Sequence, residues 1–132
     1  MIKTYELTLL ARADVSSEDV KMSMQVLRDN ILSNNGEILY GEYWGIRNLE
    51  YKINKCETAN FYMIQFDGDK DVVNILNEKL KNSEIFIRYL LVSIDKEDIK
   101  IKSANSNPSK DEDGVVMDRR FGNIINEVFN IK

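Results

Sequence analysis

Histidine is absent from the sequence, cysteine occurs once, and no apolar run is longer than a few residues. Each absence removes a class of function. Without histidine the commonest general base and the commonest metal ligand are both missing, which excludes histidine-dependent triads, zinc proteases and phosphohistidine enzymes. A lone cysteine, Cys56, forms no intrachain disulfide and no cysteine zinc site. With no basic cluster beside it, Cys56 reads as a surface thiol in a turn rather than a nucleophile. A membrane span needs about 20 consecutive apolar residues and a secretory signal needs a basic start before an apolar stretch, so neither is expected and the cytoplasm is the expected compartment. Positive charge is also short. Eighteen Lys and Arg stand against 22 Asp and Glu, a net charge of −4, and nucleic-acid affinity is largely phosphate neutralisation by cations. An RNA partner would therefore require a few cations gathered on one surface, or a basic companion protein that supplies the rest.

What is present is ordinary for a folded protein: 132 residues, 43% hydrophobic and 30% charged, enough for one domain and an appended segment. Tyr5, Leu7 and Leu9 alternate with Thr4, Glu6 and Thr8, the period of a strand with one buried face. Ser16 or Ser17 followed by Glu18 and Asp19 signals a helix start. Val20, Met24, Leu27 and Ile31 continue it as an apolar stripe, and Asn34-Asn35-Gly36 supplies a left-handed stop. Residues 38–53 suit a long strand bent or bulged at Gly41 and Gly45. Residues 54–58 read as a polar turn and 61–67 as a third strand with Tyr62, Ile64 and Phe66 inward, so the pair forms a hairpin. Val72, Val73, Leu76 and Leu80 mark a second helix, ended by Asn82-Ser83, and residues 85–94 a last, mostly buried strand.

The order β-α-β-β-α-β predicts an α+β, ferredoxin-like split β-α-β sandwich: one four-stranded antiparallel sheet with two helices on one face. Right-handed crossovers put the first and third strands in the middle and leave the other face open to partners. The domain is expected over residues 1–98. Residues 99–132 are expected to be a polar, flexible tail in which Phe121, Ile124, Ile125, Val128 and Phe129 form a short amphipathic helix that docks or binds something.

One stretch is more specific. Trp44-Gly45-Ile46-Arg47-Asn48-Leu49-Glu50-Tyr51-Lys52-Ile53-Asn54-Lys55 resembles the signature of the sixth small-subunit ribosomal protein family of bacteria, roughly Trp-Gly-x-Arg-x-Leu-Ala-Tyr-Pro-Ile followed by a lysine. Tyr5-Glu6, Asn35-Gly36 and Ile87-Arg88 agree in order and spacing, so the resemblance covers residues 4 to about 95. Glu50 and Lys52 depart from the family's usual Ala and Pro. The resemblance implies a structural constituent of the small ribosomal subunit, not an enzyme, that pairs with the eighteenth small-subunit protein and binds the central domain of the small-subunit ribosomal RNA. It implies no cofactor, no metal and no small-molecule substrate.

Arg47 and Arg88 are the candidate RNA or partner contacts, because a guanidinium grips phosphate with two parallel hydrogen bonds. Their plainer reading is a cross-strand ion pair with Glu42 or Glu50. Lys3, Arg12, Lys52 and Lys55 would widen the basic surface, or merely solvate the exterior. Phe61 and Met63 face away from the expected core and would offer an apolar patch for protein contact, since the RNA-recognition pattern of stacking aromatics is missing. Trp44 and Tyr51 read as core or bulge packing. Asp67, Asp69 and Asp71 resemble a calcium loop only loosely and are explained by acidity at a helix start. An acylphosphatase-like hydrolase on the same fold would need a phosphate cradle, for which residues 11–17 with Arg12 are a poor candidate. A self-associating, ligand-sensing module is the other alternative.

Overall fold

A computed structural model describes residues 2–53, 55–95 and 116–129. Its elements run β1 (Lys3–Arg12), α1 (Ser17–Ser33), β2 (Glu37–Ile53), β3 (Cys56–Gly68), α2 (Lys70–Lys81), β4 (Phe86–Ile94) and α3 (Arg119–Phe129). The sheet has the order β2-β3-β1-β4 and all its pairings are antiparallel. The expected β-α-β-β-α-β sandwich is present, with the first and third strands in the middle.

Local chemistry sets the element ends. The Ser16 hydroxyl accepts the Asp19 N–H at 3.1 Å and the Asp69 carboxylate accepts the Val72 N–H at 3.1 Å, so each helix begins on a side-chain cap. α1 stops where Asn35 turns left-handed, at φ 64°. There the Gly36 N–H reaches the Ile31 carbonyl at 2.8 Å and the Asn35 N–H the Leu32 carbonyl at 3.2 Å, which satisfies two carbonyls the helix leaves free. The β2–β3 hairpin closes with Ile53 paired to Cys56 and Lys55 left-handed at φ 67°.

The helix-covered face holds the core. Leu7 and Leu9 of β1, Tyr62, Ile64 and Phe66 of β3, Val20, Met24, Leu27 and Ile31 of α1, and Val72, Leu76 and Leu80 of α2 are all at most 3% exposed and form one cluster. A third helix, α3, carries the apolar stripe read near the end of the sequence and packs on this same face. Phe121, Ile124, Ile125, Val128 and Phe129 of α3 enter the same cluster, so α3 lies over β2 and against α1. Its polar attachments are few: Tyr62 Oη donates to the Phe121 carbonyl at 2.8 Å, Arg28 Nη1 to the Val128 carbonyl at 3.0 Å, and Lys21 pairs with Glu127 at 3.4 Å. Ahead of α3, Val116 makes an isolated antiparallel bridge to Ile46 on the outer edge of β2. The polar stretch 96–115, and with it the expected boundary at 98, lies outside the described residues.

Several expectations are corrected by position. β4 is an edge strand with one neighbour, so it is not mostly buried: Arg88 is exposed and Leu90 is 60% exposed. Cys56 opens β3 instead of sitting in a turn, and it is buried. Tyr51 is 77% exposed, because β2 and β3 run on past the ends of β1 and leave this part of the hairpin without a layer to pack on. The register of β2 against β3 shifts at Leu39 and at Trp44, just ahead of Gly45 with φ 92°, whereas Gly41 pairs with Ile64 in register.

Candidate functional site

The sheet face away from the helices gathers cations at one end. In one row across the sheet Arg88 of β4 lies opposite Leu10 of β1, which lies opposite Phe61 of β3, which faces Gly45 of β2. In the next row Arg12 faces Ala59, which faces Arg47. Residues two apart on a strand share a face, so Arg12, Arg47 and Arg88 arrive from three strands on one side of the sheet around Leu10, Ala59 and Phe61. Exposed Lys52 and Lys55 lie on the hairpin that extends past this same end. Lys3, paired with Gly68, stands at the opposite end of β1, and the register does not bring it to the others.

The three arginines are held differently. Arg47 lies over the Phe61 ring, its guanidinium carbon 5.8 Å from the centroid, and its Nε donates to the Trp44 carbonyl at 3.4 Å. One of its terminal nitrogens, Nη2, is buried without a hydrogen-bond partner, a costly state for a charged donor. Arg88 is exposed, and among the described residues no ion pair joins Arg47 or Arg88 to an acid. Glu42, a suggested ion-pair partner, instead accepts the Trp44 indole N–H at 2.7 Å and the Tyr40 hydroxyl at 3.3 Å. Trp44 is thus the extra residue of the bulge, half-buried and tied to its own strand. Arg12 alone is clamped by an acid. Its Nε and Nη2 donate to the two oxygens of Asp14 at 2.9 and 3.0 Å. Those hydrogen bonds hold the Asp14 carboxyl below its usual range and raise Arg12 above its own.

The apolar residues of this face divide. Phe61 is half-buried under Arg47, whereas Met63, between Glu42 and Thr8 in the ladder, is 0% exposed. Met63 therefore underlies the face and offers no patch. The exposed apolar side chain in that row is Leu90, opposite Thr8. Asp67 accepts the Thr4 hydroxyl at 2.6 Å and Asp69 caps α2, which uses those carboxylates structurally. Among the described residues no group of three His, Cys, Asp or Glu is placed to hold a metal. Asp14 escaped the sequence reading although its spacing, two residues beyond a basic strand end, was a usable signal.

The model of the family described as ribosomal protein S6 matches residues 4–93. The chain belongs to the ribosomal protein S6 family. The small ribosomal subunit protein bS6 of Geobacter metallireducens is 31% identical over 97 residues, 74% of this chain and 82% of that protein. The bS6 of Rickettsia prowazekii is 34% identical over 105 residues, 80% of this chain and 81% of its own length. The crystal structure of 30S ribosomal protein S6 from Thermotoga maritima shares the fold, with a TM-score of 0.66 at 20% identity over 80% of this chain and 98% of that one. As an S6-family member the chain is a structural protein of the small ribosomal subunit rather than an enzyme. Within the described residues no helix is long and apolar enough to cross a membrane. The family match ends at residue 93, ahead of α3.

Proposed function

We propose that the chain binds the central domain of small-subunit ribosomal RNA jointly with the eighteenth small-subunit protein, and that the arginine end of the open sheet face makes the contact. The observation that carries this reading is the convergence of Arg12, Arg47 and Arg88 on one end of the helix-free face in a chain whose net charge is −4. Phosphate affinity scales with the cations that reach phosphates, so a small local cluster supports a partial footprint and leaves the remainder to a basic companion. Partner protein and RNA divide this surface by chemistry: Leu90 and the stacked Phe61–Arg47 pair suit protein contact, and the exposed guanidinium of Arg88 suits phosphate.

The test is a binding titration of the full chain on a central-domain RNA fragment, with and without the companion protein. Weak binding alone and strong binding together is the expected result. Tight, specific binding by the chain alone overturns the joint reading.

A further inference from the structure

The clamp on Arg12 distinguishes it from its neighbours. Asp14 meets the Nε–Nη2 edge of the guanidinium side-on, at 2.9 and 3.0 Å, with the planar two-oxygen geometry that a phosphate adopts on the same edge. The acid comes from the turn directly after β1, is 62% exposed at its side chain, and competes for a guanidinium that is 27% exposed. An exposed pair of this kind is weak enough to exchange. Arg12 itself is fixed in place: its backbone N–H donates to the Ile85 carbonyl at 2.9 Å and its strand pairs it with Ala59, across from Arg47.

We propose that Asp14 is an internal phosphate surrogate, occupying the Arg12 fork in the free chain so that an RNA phosphate must displace it to bind there. The proposal rests on the reading that the arginine end of the open face meets RNA. Its consequence is selectivity. An RNA that merely brushes the surface gains nothing from Arg12, whereas one docked by the other contacts delivers a phosphate at high local concentration and exchanges it for the carboxylate.

The experiment is a double-substitution cycle in the full chain, using a central-domain RNA fragment with the companion protein present. Asp14→Asn keeps the shape and removes the charge, Arg12→Gln removes the fork, and the two are combined; Glu57→Gln is an equal charge change on the hairpin. The expected result is that Asp14→Asn tightens RNA binding by about two- to fivefold, the weight of an exposed ion pair. That gain disappears in the Arg12→Gln background, and Glu57→Gln has a smaller effect. A gain that persists without Arg12 shows only a general change in field and overturns the proposal, as does unchanged or weakened binding. If Arg12→Gln is silent while Arg47→Ala and Arg88→Ala weaken binding, the proposal falls and the interface reading stands. If all three arginine substitutions are silent, the interface reading itself has failed.

Discussion

Arg47 and Arg88 share one end of a sheet face but differ in what their removal does to the fold. Arg88 is exposed, so Arg88→Ala is expected to leave the unfolding midpoint in denaturant within about 0.5 kcal/mol of the parent. Arg47 rests on the Phe61 ring with one nitrogen buried, and Arg47→Ala loses a cation–π contact of about 0.5–1 kcal/mol against the relief of an unsatisfied donor. Both substitutions are expected to weaken binding to companion and RNA together by more than tenfold, about 2 kcal/mol. Parent-like affinity beside a lowered midpoint would make these arginines structural. The buried tyrosines give a second residue-scale prediction. Burial pushes the Tyr43 phenol up to about 12 from its ordinary 10, and burial raises Tyr62 as well. A phenol that ionises later in the folded chain than in the unfolded one leaves stability unaffected below pH 10. Stability is then lost progressively as the pH rises from 10 through about 12. Denaturant titrations across that window are expected to show the fall, and ultraviolet titration to show the phenolate absorbance of Tyr43 and Tyr62 rising late.

At the scale of elements, the end of α1 is a tight joint. A β-carbon on Gly36 would come within 2.8 Å of the Asp67 backbone carbonyl and 2.7 Å of Ile31 Cγ2, and the carbonyl belongs to a paired strand. Gly36→Ala is therefore expected to cost about 1–3 kcal/mol in a chemical denaturation experiment. This joint was legible in Asn34-Asn35-Gly36, as were the caps at Ser16 and the two helical stripes, because each is a local rule written within a few residues. Long-range placement was less legible. The density of apolar residues in β4 suggested burial, but an edge position is decided by strand order, and Leu90 is left exposed. Met63 faces away from the helices, as the alternation predicts, yet it is 0% exposed, which alternation does not reveal. The convergence of Arg12, Arg47 and Arg88 depends on strand order and on the register shifts at two bulges in β2. Alternation alone cannot supply such shifts, so the residues were nameable in advance but their grouping was not.

Across the whole molecule, α3 is part of the core and not an appendage to it. Ile124 is 1% exposed within the same cluster as Leu9 and Tyr62, and Ile124→Ala is expected to cost about 2–5 kcal/mol. That is a large part of the roughly 5–15 kcal/mol that holds a domain of this kind together. Calorimetry is expected to show one transition moved to lower temperature, whereas a separate low-temperature step for α3 would mean that it melts independently of the sheet. The docked helix covers the helix side of β2, and Val116 touches that strand's outer edge. The arrangement carries a consequence for the order in which the molecule is made. About 35 residues separate the end of β4 from the end of α3, which at ordinary elongation speeds is roughly 2 to 7 s of synthesis. The side of β2 that carries Tyr43 therefore waits for its cover until α3 has been made and has left the ribosome, so the core is completed later than the sheet is synthesised.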